Sequence, residues 1–344
     1  MRSYLIGVFK LEYLEYETKI VSSTSFDPWH NLALEEYLFR EIKHNQVILY
    51  LWQNQNTVVI GRNQNAWKEC RCNELEQAGG KLARRLSGGG AVYHDLGNLN
   101  FTFIMDRAQY DLEKQLSVIL EAVRTFNINA QFTGRNDLTV EGRKFSGNAF
   151  YFERDKAYHH GTILIDVDVA KLAAYLQVSK EKIVSKGVDS VQARVGNLNL
   201  FSSEISIESM KTALMKSFQD LYGKVSEPPI IMSDTTFPLE NLYKKYSSWD
   251  WLYGKTPNFD MVLSTRFLWG GIELGLTLSN GLINDAKIYS DAMNSHLIDR
   301  IALTLLMLPL QLDLIVNAIR GIDVDQEDQV IIDDLINWLL SGVI

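Results

Sequence analysis

Residues 84–95 run Arg84-Arg85-Leu86-Ser87-Gly88-Gly89-Gly90-Ala91-Val92-Tyr93-His94-Asp95. No other stretch constrains the chain so tightly. The three glycines between apolar segments predict strand, glycine-rich turn and strand over residues 81–105, with a further turn at Leu96-Gly97-Asn98. Glycine lets backbone N–H groups approach a ligand without a Cβ in the way. Consecutive free N–H groups form an anion-binding concavity, and arginine offers a rigid fork matched to carboxylate and phosphate oxygens. The pattern is not a Walker loop, which needs Gly-x4-Gly-Lys-Ser/Thr before a helix, nor the Gly-x-Gly-x-x-Gly dinucleotide turn. Taken alone, three glycines describe a flexible hairpin more readily than an anion cradle.

A second segment changes that balance. Gly134-Arg135-Asn136-Asp137 precedes Arg143-Lys144-Phe145-Ser146-Gly147-Asn148-Ala149. Lys144, set between a basic neighbour and a Ser-Gly turn, can neutralise a carboxylate and a phosphate together if it points at the glycine-rich turn; otherwise it is a solvated hairpin lysine. Further on, His159 and His160 are adjacent on a strand and so point to opposite faces, one able to face a site and the other solvent. No other ligand cluster lies near them in sequence, which argues against a shared zinc.

Composition bounds the remaining choices. The 344 residues are 46% hydrophobic and 22% charged, enough for a sizeable core and two domains. The net charge is −8; residues 255–344 carry 5 basic against 12 acidic side chains, a net of −7. An acidic C-terminal part argues against nucleic acid as a partner. Cys70 and Cys72 are too close for an ordinary disulfide or a Cys-x-x-Cys zinc unit, and fit a reducing, cytoplasmic setting. No apolar run has the length of a membrane span, and the first residues lack a signal-peptide pattern.

Along the chain, Asp27 and Pro28 predict a helix start, followed by an apolar stripe of Leu34, Tyr37, Leu38 and Ile42. Residues 47–52 and 57–60 predict strands around Asn54-Gln55-Asn56. Leu99, Phe101 and Phe103 alternate with Asn100 and Thr102 as in a half-buried strand. Helices are expected over 112–126 and 169–177 and around Ile207, Met210, Leu214 and Phe218. Several short strands are expected over 130–168, and a long ordered loop over 180–200. The domain boundary is placed near residues 253–257. Beyond it come a hairpin of 266–278 and 282–289 about Asn280-Gly281, then helices near 295–308 and 326–340. The fold class expected is α+β.

With these segments in view, the chain resembles the lipoate–protein ligase A family over nearly all of residues 19–344. The resemblance is carried by Asp27-Pro28-Trp29-His30-Asn31-Leu32-Ala33-Leu34-Glu35-Glu36, by Val58 through Cys70, by Arg84 through Asp95, by the Gly134 and Arg143 segments, by His159-His160-Gly161-Thr162 and by Lys186-Gly187-Val188-Asp189-Ser190-Val191. Ser248 through Gly254 and Trp269-Gly270-Gly271-Ile272-Glu273 continue it. Residues 1–18 extend beyond the family's usual start.

The resemblance implies a mixed-sheet catalytic domain of the biotin/lipoate ligase type over 1–253 and a smaller α+β accessory domain over 254–344. It implies that lipoate and ATP give lipoyl-AMP and pyrophosphate, with Mg²⁺, and that the lipoyl group then passes to a lysine of an acceptor. The acceptors implied are the lipoyl domains of 2-oxoacid dehydrogenase E2 subunits or the glycine cleavage H protein. Lys144 is implied to contact the lipoate carboxylate and the α-phosphate. Arg85 lines the ligand site; Ser87, Gly88 and Gly89 approach the lipoyl chain; Gly90, Ala91, Val92 and Tyr93 hold the nucleotide. His94 and His160 join the substrate site, Asn136 and Asp137 position ribose phosphate or Mg²⁺, and Lys186, Gly187, Ser190 and Val191 belong to a loop closing over the adenylate. A monomer is expected. The competing readings are a lipoyl or octanoyl transferase of the same fold using Cys70 or Cys72, and a non-catalytic lipoate-binding regulatory protein. The Gly-Arg-Gly-Arg signature of biotin ligases is absent.

Overall fold

The Asp27 side chain accepts the Trp29 N–H at 3.0 Å and Pro28 sits in the first turn, so helix α1 (Pro28–Glu41) begins where the sequence predicts. The computed structural model describes residues 17–133, 137–177, 195–223, 225, 228–232, 237–254 and 259–342. Most of the N-terminal extension, Gly134 to Asn136, the expected loop from 180 to 194 with its residues Lys186, Gly187, Ser190 and Val191, and the heart of the proposed boundary lie outside the described residues.

The first strands are β1 (Glu17–Ser23), β2 (Gln46–Trp52), β3 (Thr57–Ile60), β4 (Lys81–Arg84), β5 (Val92–His94) and β6 (Asn98–Asp106). They are followed by β7 (Ala130–Thr133), β8 (Asp137–Val140), β9 (Arg143–Glu153), β10 (Lys156–Leu164) and β11 (Ile230–Met232). A mixed eight-stranded sheet has the order β11-β1-β2-β6-β10-β9-β8-β7, and a small sheet has the order β4-β3-β5. Strands β2 and β3 therefore do not pair with each other: the turn between them carries the chain from one sheet to the other. The region 130–168 holds two long strands, β9 and β10, rather than only short ones.

One face of the large sheet is covered by α4 (Leu112–Arg124) and α6 (Ile207–Tyr222), which enclose Val47, Leu49, Leu51, Leu99, Phe101 and Phe103. The opposite face, with Ile48, Tyr50, Trp52 and Ile104, lies under α1 and next to Val59 and Ala83 of the small sheet. The helices between these are α2 (Ala66–Glu69), α3 (Cys72–Gln77) and α5 (Val169–Tyr175). Covering both faces corrects the half-buried reading of β6. Asn100 and Thr102 alternate with the apolar residues yet are 1% and 0% exposed, because their face lines an interior polar site rather than solvent.

The C-terminal part builds a separate apolar core on an antiparallel sheet, β12 (Met261–Phe267), β13 (Gly270–Ser279) and β14 (Leu282–Ser290). The expected 266–278 strand is two strands, broken at Leu268-Trp269, where the chain reverses. Asn280 (φ 52°) and Gly281 (φ 77°) make the tight turn that Asn-Gly predicts. Three helices follow, Ser295–Thr304, Leu312–Arg320 and Gln329–Leu340. The middle one was not expected from the sequence, although it places Ile315, Val316 and Ile319 in the core.

Candidate active site

The strand, glycine-rich turn and strand of residues 81–94 fold the small sheet over the large one, and a cavity of about 150 Å³ remains between them. Its walls are apolar at Leu32, Trp52, Val59, Ala91 and Val92. Polar groups converge from Arg85, His94, Asn100, Lys144, His160 and Thr162. This mixture, apolar walls with a few placed polar groups, is that of a small-molecule site.

The two arginines have different tasks. The Arg84 guanidinium donates to the backbone carbonyls of Gly61, Arg62, Gln64, Trp251 and Leu252. It is a structural tie, not half of an anion fork. Arg85 reaches the cavity but spends its donors on the turn: Nη2 donates to the carbonyls of Gly88 at 2.7 Å and Gly90 at 2.8 Å, Nη1 to Val59 at 3.2 Å, and Nε to Ser87 Oγ at 3.0 Å. Burial lowers the pKa of each arginine to about 10, so both stay cationic at neutral pH. Arg85 thus shapes the glycine-rich turn and brings positive potential to the cavity.

A relay runs on from that turn. Thr102 Oγ1 accepts from Trp52 Nε1 at 3.1 Å and donates to Glu35 Oε1 at 2.7 Å, so that oxygen is an acceptor and His160 Nδ1–H donates to it at 2.9 Å. His160 Nε2 then accepts from the Ser87 hydroxyl at 2.8 Å. The connectivity is that of a serine–histidine–acid triad, but Ser87 is fully buried, does not line the cavity and already accepts from Arg85. These bonds hold the turn against the large sheet. The histidine pair divides as the strand alternation requires: His160 faces the cavity, while His159 is buried on the other side between Gln115 and Asn148, with its pKa lowered to about 3 by burial and then by His160. Neither faces solvent.

The glycines separate in the same way. A Cβ on Gly90 would meet nothing within 4 Å among the described residues, and Gly90 and Gly89 line the cavity. A Cβ on Gly88 would lie 2.7 Å from the Met293 carbonyl carbon and would overlap the carbonyl oxygens of Ala292 and Met293. Gly88 is therefore needed for close approach of the C-terminal unit, and it does not itself line the cavity. Gly89 N–H donates to Ala292 O at 3.1 Å, and Ser295 Oγ donates to Leu86 O at 3.2 Å in the same seam. Along β5, Val92 and His94 turn to the cavity, while Tyr93 turns away and donates to Asn56 Oδ1 at 3.1 Å.

Lys144 projects from β9 over Gly147, where any Cβ would lie 2.9 Å from its Nζ. It pairs with Asp137 at 2.7 Å, each 37% exposed. Residues that sequence reasoning passed over are Glu35, Asn100 and Thr162, and the aromatic wall at Trp52. Glu35 carried the clearest signal, a carboxylate beside the apolar run Leu32-Ala33-Leu34. Cys70 and Cys72 are buried, and neither lines the cavity.

Comparison with known proteins identifies the family. Residues 27–219 match the lipoyl protein ligase A/B catalytic domain and residues 256–339 the bacterial lipoate protein ligase C-terminus. The chain belongs to the lipoate–protein ligase A family. It is 41% identical over 291 residues to the lipoate-protein ligase A of Blochmanniella floridana, covering 83% of this chain and 86% of that one. The crystal structure of P. falciparum LipL1 in complex with lipoate is similar, with a TM-score of 0.84 at 32% identity, covering 94% of this chain and 100% of that one. A lipoate-protein ligase A structure bound with ATP has a TM-score of 0.60 at 25% identity, covering 69% of this chain and 99% of that one. The cysteine-dependent transferase reading is not favoured. Among the described residues no helix is long and apolar enough to cross a membrane.

Proposed function

We propose that this ligase activates lipoate with ATP to lipoyl-AMP, releasing pyrophosphate, and then passes the lipoyl group to a lysine amine of an acceptor domain. The observation that carries the reading is the cavity itself: apolar walls suited to an acyl chain lead to Lys144 at a charged end. Attack of the lipoate carboxylate on the α-phosphorus brings together several negative oxygens, so fixed positive charge is the main contribution the protein can make. In this reading Lys144 exchanges Asp137 for the carboxylate and α-phosphate, and stays non-covalent. Arg85 adds positive potential from the opposite wall.

Mg²⁺ would arrive on the nucleotide and shield its phosphates. Asp137, the carboxylate beside Lys144, fits it as an auxiliary ligand once Lys144 has moved to substrate; among the described residues no group of three or more metal-binding side chains exists to hold the ion independently. The apolar walls exclude water from the mixed anhydride, and transfer then needs a neutral acceptor lysine brought into line. The division into a catalytic domain to residue 253 and an accessory domain from 254, the E2 lipoyl domain or H protein as acceptor, a monomeric state and a cytoplasmic location are part of the same proposal. One relative carries the acceptor in its description: a bi-partite lipoate ligase from Thermoplasma acidophilum, described with its E2 lipoyl domain.

The test is incubation of the purified chain with an apo acceptor domain, ATP and either lipoate or octanoate, read by mass. An ATP-dependent mass gain of one lipoyl group supports the ligase. Modification from octanoyl carrier protein without ATP would overturn it in favour of the transferase.

A further inference from the structure

His94 ends β5 with its ring on the cavity wall, 3% exposed. Its Nδ1 lies 3.2 Å from Asn54 Nδ2 and 3.5 Å from Asn100 Nδ2. The orientation of the Asn54 amide is decided elsewhere. Asn31 Nδ2 donates to the backbone carbonyls of Ser25 at 3.0 Å and Gln53 at 2.8 Å, while its Oδ1 accepts from the Ser23 hydroxyl at 2.7 Å. Turned the other way, Asn31 would set oxygen against two carbonyl oxygens, so only one orientation is satisfied. In that orientation Asn31 Nδ2 also faces Asn54 Oδ1 at 3.0 Å. Asn54 must then aim its amide nitrogen at His94. Asn100 bonds Asn98 at 2.9 Å, and Asn98 Oδ1 is itself buried without a partner among the described residues, so the lock on His94 comes from Asn54.

The Asn54 amide N–H therefore faces His94 Nδ1, which accepts from it, and the proton of the neutral ring belongs on Nε2. Burial, with Arg85 and His160 adding to it, holds the ring neutral by lowering its pKa to about 3. Nε2 is buried and has no hydrogen-bond partner among the described residues. A buried donor without an acceptor is destabilising, and the space beside this one is the substrate cavity. Strand register brings the charged end close by: Trp52 pairs with Asn100, Asn100 with Thr162, and Thr162 Oγ1 accepts the N–H of Gly147, over which Lys144 lies.

We propose that His94 is a fixed neutral donor of the site, presenting Nε2–H to an oxygen at the acyl–phosphate junction of the bound adenylate, and that Asn54 is a positioning residue acting through it. The identity of the ligand rests on the function proposed above. A neutral, tautomer-locked imidazole would donate to an oxygen as charge develops on it, and it would keep that polarity throughout the neutral pH range. Asn54 supplies no contact to substrate; it decides which ring nitrogen carries the proton.

The experiment is two-bond ¹H–¹⁵N correlation of the His94 ring in the intact chain, with kinetics of lipoate-dependent pyrophosphate release. The Nε2–H pattern is expected in the free protein, with its proton signal shifting when lipoate and ATP are added. Asn54→Leu should give mixed tautomers and a roughly tenfold lower kcat/KM, and His94→Leu a loss of about 100-fold, partly recovered in His94→Gln, whose amide still donates. An Nδ1–H ring in the wild-type chain, an Nε2–H signal indifferent to bound ligand, or a folded His94→Leu variant within twofold of wild type would each overturn the proposal. A wild-type chain that releases no pyrophosphate would refute the ligase reading, and with it the adenylate as acceptor, while the tautomer would still be read without ligand.

Discussion

Replacing Gly88 by alanine should uncouple the two units of the chain rather than block the cavity. The new methyl would sit 2.7 Å from the Met293 carbonyl carbon, against backbone that has no rotamer to yield. Forcing an extra methyl into packed structure costs about 1–3 kcal/mol. Displacing the seam also removes the Gly89 N–H to Ala292 O bond, worth about 0.5–1.5 kcal/mol net. The coupling between the units should therefore fall by about 1.5–4.5 kcal/mol. Gly90→Ala is the matched control, since its methyl meets nothing within 4 Å among the described residues and its φ is not left-handed; its stability should stay within about 1 kcal/mol of wild type. The assay is urea unfolding followed by tryptophan fluorescence and far-UV circular dichroism, with pyrophosphate release measured in parallel. Gly88→Ala should separate transitions that coincide in the wild type, and Gly90→Ala should unfold normally while raising KM. Superimposable unfolding curves for the two variants would refute the assignment of Gly88 to the seam.

Three further outcomes follow from other parts of the structure. Lys144→Met should abolish lipoate-dependent pyrophosphate release while changing stability by less than about 1 kcal/mol, because its pair with Asp137 is more than a third exposed; near-normal release would remove Lys144 from the chemistry. Arg84→Lys should destabilise the fold by on the order of 3 kcal/mol, since an ammonium cannot reach carbonyls on both the Gly61–Gln64 turn and the Trp251–Leu252 segment; chemical denaturation measures it. Stability should decline as pH falls below the ordinary histidine range. His94 and His159 stay neutral in the native state down to about 3, whereas in the unfolded chain they protonate near 6.5, so the unfolded state binds more protons in between. His159→Gln should flatten that part of the urea midpoint against pH, and an unchanged slope would contradict the burial argument.

The family and the chemical core were legible in the chain because they rest on local constraints. Asp27-Pro28 starts a helix through its own backbone and side chain, Asn280-Gly281 makes a tight turn through its own dihedral preferences, and the Arg85 to His94 and Lys144 motifs lie in short contiguous runs. The middle C-terminal helix was missed, and the 266–278 strand was drawn too long. Both errors come from apolar runs whose period is ambiguous until a partner surface selects one face.

Which residue of a motif does what was decided only by tertiary packing. The resemblance put Arg85 at the ligand site and gave Arg84 no task; packing shows Arg84 tying loops together while Arg85 enters the cavity. The resemblance divided the glycines between acyl chain and nucleotide, yet packing sets Gly88 against the C-terminal unit and leaves Gly90 lining the cavity. The alternation of Asn100 and Thr102 suggested a solvent-facing edge, and the second sheet turned that face inward. The sequence determines local conformation and the supply of charge and flexibility, because these depend on near neighbours. Burial, tautomer and contact depend on groups remote in the chain, as when Asn31, sixty-three positions before His94, settles where its proton resides.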